Sequence, residues 1–574
     1  METMDLFGME TADEDDAPSG VINFIPYQKE SPEERATRRI MGALKAGHPL
    51  ALAYSGGKDS SALVLLTLNA AAKFVEEEGE CPPIFLMSSD TGVDQPEVVA
   101  LARREIEKMK LFATSHGINF TARIGSPRLS DSWPVRVIGG RALPAFPDSR
   151  SDCTSDWKIN VNQRAMNELM TTFKAQKKWK APIVCTGVRL SESIARDARI
   201  AKRGEVADEI WTNDEGHLRL SPILDFDVDS IWELIGLASA GLIPSFSDFT
   251  DLMRIYSDAG GDSCVIVADM KGSNKPCGVR TGCWACTKVH SDKSMDEMIK
   301  SDHERYGHLK ALAQLRNYIS HTQYDWSLRQ YVGRTINADG EIEIGADTYS
   351  PDMLQDLLRW TLSAQVKSGV PIISYEQLVA IDLRWSMYCL TPPFTALKIF
   401  FEVMDGGQLS DPPEVPRVPK TPVPKIGKLK VGAPTYGAAL PGQVSGLRNV
   451  ALEMFSETCG DTLRQLPNGS IVIDVETEGE MEVDPEGAAD FIFFEGERMV
   501  EEYCHEDCSD WTWGYKTYLQ WGVLSIAKGR STQVNTILER SQWRQANGLH
   551  GQQTIESLTE RCTSLYAAQL SLIN

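Results

Sequence analysis

A six-residue polar turn, Ser55-Gly56-Gly57-Lys58-Asp59-Ser60, constrains this chain more than any other stretch of it. It separates the apolar run Leu50-Ala51-Leu52-Ala53-Tyr54 from an apolar-periodic stretch between Ser61 and Phe74. That pattern predicts a buried strand, a tight loop and the start of a helix. Two glycines let the backbone approach a ligand closely, and the N–H groups left over at a helix N-terminus attract anions. With Ser55, Ser60 and the Lys58 ammonium in the same loop, the turn is predicted to cradle an oligophosphate. The Gly-x-x-x-x-Gly-Lys-Ser/Thr spacing of a Walker A loop is absent.

The same alternation continues. Pro83 to Asp90 reads as a second buried strand running into Asp90-Thr91-Gly92, Pro96 to His116 as a helix, Asn119 to Arg123 as a third strand, and Pro182 to Gly187 as a later one. Strands alternating with helices predict an α/β fold, a parallel sheet with helices on both faces and ligands at the strand C-terminal ends. Three loops then meet at one edge: residues 55–60, Asp90-Thr91, and Gly187-Val188-Arg189-Leu190-Ser191-Glu192-Ser193. Arg189 is the residue in the last loop best suited to clamp a phosphate bidentately. Arg196 and Arg199, further on, either reach the same anion or pair with Glu192 and Asp197.

Charge sorts the chain into regions. The whole of its 574 residues carries a net charge of −22, which argues against a protein that coats nucleic acid. Residues 123–203 nevertheless hold 16 Lys/Arg against 7 Asp/Glu, whereas 456–510 hold 17 acidic residues against 2 basic. The basic stretch beside the phosphate loop serves either a polyanionic substrate or simply a solvated face. No apolar run approaches the roughly 20 residues of a membrane span, and the acidic N-terminus is unlike a signal peptide, so a cytoplasmic protein with no membrane contact is expected. The expected organisation is a disordered acidic tail over 1–30, the nucleotide domain over 31–245, a cysteine-cluster and helical region over 246–405, a Pro-rich linker or strap over 406–445 and an acidic α+β appendix over 446–574. Ser31, Pro32 and Glu34 supply a capping box for the first helix. Within the appendix Ser470 to Val475 and Asp490 to Phe494 are read as strands, and Tyr515 to Lys528 and Gln533 to Ala546 as helices; Ser294 to Ser320 is read as helical.

Twelve cysteines suit a reducing compartment, with metal ligation and scattered thiols in place of a disulfide framework. Cys264, Cys277, Cys283 and Cys286 stand in the spacing Cys-x12-Cys-x5-Cys-x2-Cys among Pro276, Gly278 and Gly282. Four thiolates on irregular chain suit either an iron–sulfur cubane or tetrahedral zinc, and spacing alone does not choose. Cys153, before a predicted helix, is partly activated towards thiolate, and either carries sulfur or lines the pocket. Cys504-His505-Glu506-Asp507-Cys508 is read as an unligated acidic loop in preference to a zinc site.

Ser55 to Ser60 resembles the PP-loop of ATP pyrophosphatases. Together with Cys153-Thr154 to Lys158, Gly187-Val188-Arg189 to Ser193, Ser221-Pro222-Ile223, and Cys277-Gly278-Val279-Arg280-Thr281-Gly282-Cys283-Trp284-Ala285-Cys286-Thr287, in that order, it resembles the phosphoadenosine-phosphosulfate-reductase superfamily. The resemblance is greatest to its DNA-sulfur-modification branch, the Dnd-type protein C, on Gly261-Asp262-Ser263-Cys264 and the Gly-Cys-Trp-x-Cys-Thr segment, and covers about residues 30 to 390. It implies an adenine-nucleotide α-hydrolase-like sheet and a 4Fe-4S cluster on Cys264, Cys277, Cys283 and Cys286, zinc being the alternative. It also implies ATP with Mg²⁺ bound through Ser55, Gly56, Gly57, Lys58, Asp59, Ser60, Asp90, Gly187, Arg189 and Glu192. Lys58, Asp59 and Cys153 are then the catalytic candidates, Asp59 as metal holder or helix cap. The implied activity is ATP-driven replacement of a DNA backbone oxygen by sulfur, a phosphorothioate modification in phage defence. A cysteine desulfurase or other sulfur donor, other DNA-modification proteins, and DNA reached through partner subunits are the implied partners. Alternatives are a sulfonucleotide reductase and a nucleotide-sensing, non-catalytic subunit of a defence assembly. The reductase's Glu-Cys-Gly-Leu-His-type tail is absent, since Thr458-Cys459-Gly460-Asp461 is interior and lacks the flanking pattern. Ser151-Asp152 also stands where an aromatic residue usually precedes Cys-Thr.

Overall fold

A computed structural model describes residues 30–144, 157, 159–175, 178–190, 194–260, 282–330, 341–343, 345–424, 428–430, 445–447, 463–465, 471–473, 481–527 and 529–573. The expected N-terminal tail lies outside them. Helix α1 (Pro32–Lys45) starts on the capping box expected of Ser31 and Glu34, with proline in its first turn. Its Arg39 is buried and binds Asp208 at 2.9 Å, Asp225 at 2.6 Å and the Pro222 carbonyl at 2.7 Å, tying α1 to chain on either side of the last two strands of the sheet. A guanidinium taken out of water needs such partners.

Strands β1 (Leu50–Tyr54), β2 (Ile84–Ser89), β3 (Phe120–Gly125), β4 (Ile183–Cys185), β5 (Trp211–Thr212) and β6 (Leu218–Leu220) form one sheet in the order β3-β2-β1-β4-β6-β5. Pairing is parallel from β3 to β6, and β5 runs antiparallel at the edge. Side-chain alternation along β1 sends Leu50, Leu52 and Tyr54 into the main core, and Ala51 into a second cluster with Met87, Met166 and Val184. Helices α2 (Lys58–Glu78) and α3 (Pro96–Ser115) bury their apolar residues in the main core, while Met166 of α4 (Asn160–Ala175) covers the other face. The architecture is thus the expected α/β fold, a mainly parallel sheet with helices on both faces. Strand order reverses between β1 and β4, so the loop after β1 opens onto the crevice where such sheets bind ligands.

Beyond α5 (Ile194–Arg203) and α6 (Val228–Ser239) the chain is mainly helical: α7 (Thr250–Gly260), α8 (Lys293–Ser301), α9 (His303–Tyr306), α10 (Lys310–His321), α11 (Pro351–Ser368), α12 (Tyr375–Met387) and α13 (Thr395–Met404). The helical run expected from Ser294 to Ser320 is broken at Asp302, whose extended backbone caps α9 through the Arg305 N–H. Chain from the Pro-rich segment lies as a strap along α10: Val418 N–H donates to His321 O at 2.9 Å, and Trp326 Nε1–H to Thr421 Oγ1 at 2.9 Å.

The C-terminal part departs from expectation at two elements. Asp490 to Phe494, read as a strand, belongs to helix α14 (Pro485–Phe494), which Asp484 caps by accepting from Gly487 N. Phe491 and Ile492 face inward and Phe493 and Phe494 outward; a short apolar run has too little periodicity to separate helix from strand. After α15 (Gly496–Tyr503), helix α16 (Trp513–Gln520) stops eight residues short of the expected Lys528. Gly522, at φ 70°, turns the chain into strand Leu524–Ile526, which pairs antiparallel with Met481–Val483. Ile471–Ile473 is a strand, as expected, paired with Leu463–Gln465, and α17 (Ser531–Ala546) matches the last expected helix.

Asp382, fully buried on α12, holds the helical region to these C-terminal elements. Its carboxylate accepts from Ala396 N at 2.8 Å and from Tyr518 OH at 3.0 Å. It thereby caps α13, whose own N-cap, Phe394, sits at φ 63° and offers no side-chain bond. Burial pushes this carboxyl up to about 7 from 3.8. A group raised in the folded state stabilises fully below its unfolded pKa, and that contribution is lost as pH rises through about 7. Asp382→Asn is therefore expected to melt with the wild type at about pH 3.5, below the unfolded pKa, and above it at about pH 8, while Asp382→Ala loses about 1–3 kcal/mol at both. Thermal melts across that range check both signs.

Candidate functional site

The loop after β1 has the geometry of an anion cradle. Gly56 adopts φ 73°, and a Cβ there would lie 3.0 Å from the Ala102 Cβ, so the position admits glycine for conformational and steric reasons alike. Helix α2 then begins at Lys58 on Gly57, an N-cap without a side-chain bond, leaving its first turn open to a ligand. The loop closes on itself through Ser55 N–H to Ser60 Oγ at 3.3 Å and Ser60 Oγ to Gly57 O at 2.9 Å. Gly187, just past β4, lies against it, where a Cβ would stand 3.1 Å from the Asp59 carbonyl oxygen. Ser55, Gly57, Lys58, Asp59, Ser60, Asp90 and Gly187 all line one cavity of about 490 Å³, together with Asp94, Tyr256 and Gly282. That volume suits a nucleotide-sized ligand.

Charge inside the site is organised by Asp59. Its carboxylate takes the Lys58 ammonium at 3.3 Å on one oxygen and Arg189 Nε at 2.6 Å on the other. Both cations are buried, at 7% and 3% exposure. Arg189, expected to clamp a phosphate, is thus brought to the loop through Asp59. Asp90 binds Arg103 at 2.6 Å and caps its own turn through Gly92 N. Thr91 donates its hydroxyl to Asp94 at 2.7 Å. Three carboxylates beside Lys58 and Arg189 leave the cavity no cationic excess, so an oligophosphate fits best with a hard divalent cation sharing its oxygens. Among the described residues no three His, Cys, Asp or Glu side chains converge into a metal site by themselves.

Tyr256 of α7 is a site residue that the sequence did not mark, because one aromatic at helical spacing reads as core. Lys58 N–H, the first of helix α2, donates to its hydroxyl at 3.2 Å, and the Lys58 ammonium lies 5.3 Å from its ring centroid. The hydroxyl thus stands where an anion would take that N–H. Its edge contact with Trp232, at 5.3 Å, holds the ring in place.

The cysteine-bearing turn closes one wall of this cavity. Cys283 bridges antiparallel to Asp94, its thiol donating to Asp94 Oδ1 at 3.5 Å, and Trp284 N–H donates to Val93 O at 2.9 Å. Cys286 N–H closes the turn on Cys283 O at 3.0 Å. Trp284 is buried edge-on to Trp133 at 5.3 Å, and buried Arg316 donates to the carbonyls of Cys286 and His290, each at 3.1 Å, and of Val289. Both thiols are partly exposed on one tight turn, the arrangement a Cys-x2-Cys ligand pair requires. Asp94, Val93 and Arg316 were also missed, since their roles exist only across sequence gaps. Cys153, Glu192, Cys264 and Cys277 lie outside the described residues. Cys504 and Cys508 part company: Cys504 meets Thr395 Oγ1 at 3.5 Å, whereas Cys508 packs with Cys389 and Trp511.

Tyr256→Phe is expected to free the Lys58 N–H and tighten pyrophosphate binding about threefold to tenfold, the worth of one hydrogen bond. Calorimetric titration measures it, and weaker binding in the variant would contradict the assigned role.

No protein-family model and no curated protein matches the chain. Among solved structures, it is similar to the FMN adenylyltransferase of Candida glabrata in complex with FMN and the ATP analogue AMPCPP, at 14% identity and a TM-score of 0.20, covering 35% of this chain and 55% of that one. It is also similar to the U34-tRNA thiolase NcsA of Methanococcus maripaludis with its 4Fe-4S cluster, at 14% identity and a TM-score of 0.20, covering 37% of this chain and 65% of that one. The chain thus spans less than two thirds of the length of either.

Proposed function

We propose that this protein is an ATP pyrophosphatase and sulfurtransferase that activates a DNA backbone phosphate for replacement of one oxygen by sulfur. The observation that carries the reading is a shared wall: the phosphate-cradle cavity is bounded by Gly282 and by Asp94, to which Cys283 is bridged. A nucleotide and a thiolate-held group would therefore stand side by side.

In the proposed reaction a non-bridging phosphate oxygen of DNA attacks the α-phosphorus of ATP. The α–β P–O bond breaks, pyrophosphate leaves, and the acceptor carries AMP as its leaving group. Hydrosulfide-level sulfur then attacks the acceptor phosphorus and expels AMP, with no net redox change. Lys58 and the first-turn N–H groups of α2 lie where they would stabilise the pyrophosphate, Asp59 would hold a Mg²⁺ that adds positive charge there, and Arg189, beside Asp59, would be available to the same anion. Cys283 and Cys286 would hold an iron–sulfur cluster with Cys264 and Cys277, and the cluster would supply a docking point for sulfur. Sulfur would come from a cysteine desulfurase or similar donor in the cytoplasm, a dithiol reductant releasing the donor's persulfide sulfur as hydrosulfide and becoming a disulfide, with partner subunits adding the DNA-binding charge that a net −22 chain lacks.

Lys58→Ala and Asp59→Ala are each expected to lower pyrophosphate release from ATP about 10²–10³-fold, the loss that follows removal of one preorganised electrostatic group. Undiminished release would leave the loop without a catalytic role. Anaerobically purified protein is expected to be brown and to contain iron, with Cys283→Ser losing both; a colourless, zinc-loaded wild type would remove the cluster. Nuclease-digested DNA from cells carrying the protein and its partners should yield sulfur-containing dinucleotides, and their absence would sink the DNA acceptor.

A further inference from the structure

The nucleotide cavity does not end at the sheet. At the C-terminal end of β3 it shares Ile124 with a second cavity of about 500 Å³, lined by Arg123, Ser126, Arg128, Arg164 and Asn167. That one shares Arg128 and Arg164 with a third, of about 240 Å³, reaching Asn160 and Gln163. The three make one groove between the edge strand β3 and the first turns of α4. It leaves the phosphate cradle along the edge strand β3.

The lining chemistry is specific. Arg123 is neutralised by Glu168, and Arg164 spends one nitrogen on Ser126 O at 2.8 Å. Arg128 is exposed and makes no side-chain hydrogen bond or ion pair among the described residues. Two guanidinium forks are thus available to phosphate oxygens, which they match bidentately. Asn160, Asn162 and Gln163 add amides that donate and accept, suited to sugar hydroxyls and base edges. Ile124 and Ile159, at 44% and 55% exposure, are the apolar neighbours of this polar track.

We infer that the β3–α4 groove is the acceptor track, gripping the sugar-phosphate backbone of a polynucleotide through Arg128 and Arg164 and feeding one phosphate past Ile124 to the nucleotide. The inference rests on the reading of the chain as an enzyme that modifies a phosphodiester. It adds the route of approach: the acceptor enters along the edge strand β3. A short track also reconciles nucleic-acid contact with a net charge of −22, because a few phosphates are gripped and the duplex is not wrapped.

The test is binding of the full-length protein to a fluorescently labelled DNA duplex, followed by anisotropy across a salt series, with ATP pyrophosphate release assayed in parallel. Arg128→Ala/Arg164→Ala is expected to weaken binding at least tenfold and to flatten the log–log salt slope by about 2, two phosphate contacts being lost. Arg128→Lys/Arg164→Lys should restore the slope, since the charges return. Lys45→Ala/Lys73→Ala, outside the groove, should leave both affinity and slope as in the wild type. An unchanged affinity and slope in Arg128→Ala/Arg164→Ala, in a wild type that releases pyrophosphate, would overturn the groove and spare the enzymatic reading. A wild type that binds DNA through these arginines yet never cleaves ATP would do the reverse. Competition by polyglutamate as effective as that by unlabelled duplex would overturn the polynucleotide as ligand.

Discussion

Parallel pairing of β1 between β2 and β4 is the constraint on which the rest of this structure depends. Leu50, Ala51 and Leu52 are held on both sides and Ala53 and Tyr54 by β2, so the point at which the strand stops, Tyr54, is fixed to within a hydrogen-bond register. Parallel strands present all their C-terminal ends at one edge, which brings chain from Ser55, Asp90, Gly125 and Gly187 together although as many as 132 positions separate them. The phosphate cradle, the Asp90 turn, the groove mouth and the Arg189 loop are consequences of that alignment.

What the sheet assembles, Asp59 balances. Two buried cations beside one another would repel, and each would carry a desolvation cost; a carboxylate between them lowers both. The same ion pair keeps Lys58 and Arg189 aimed at the loop, ready to exchange one anionic partner for another. Tyr256 performs a comparable service for the first N–H of α2. The pocket is thus held in a ligand-like arrangement by its own side chains, which reduces the reorganisation that binding requires.

The cysteine turn is attached to this pocket by backbone, by the Cys283 thiol on Asp94 and by aromatic burial. Val93–Asp94 pairs with Cys283–Trp284, Trp284 inserts against Trp133, and Arg316 gathers the carbonyls that follow. Trp133 is followed by the turn Pro134–Ile138, whose carbonyls accept from Arg384 and Trp385 of α12. Through α12 and Asp382 the same chain of contacts runs on to Tyr518. The pocket after β1, the cysteine turn and the C-terminal helices therefore share one continuous packed core.

Local pattern made the Ser55–Ser60 loop, its flanking strand and helix, and the alternation that demands a parallel sheet legible without coordinates, because glycine placement and hydrophobic period act within a few residues. It likewise marked the cysteine spacing and Arg189. It failed for Asp490–Phe494, where four apolar residues fit either period, and for Tyr256, Asp94 and Arg316, whose side chains look like core or surface until their partners are known. The sequence by itself determined which residues have the chemistry for phosphate and metal, since that chemistry resides in side-chain type and short spacing. Only the tertiary structure decided that Arg189 reaches the loop through Asp59, that the Cys283 turn walls the cavity beside that loop and that Arg128 and Arg164 line cavities that adjoin it. Those relations cross tens to hundreds of residues, and they are set by strand register and core packing, which no local pattern encodes.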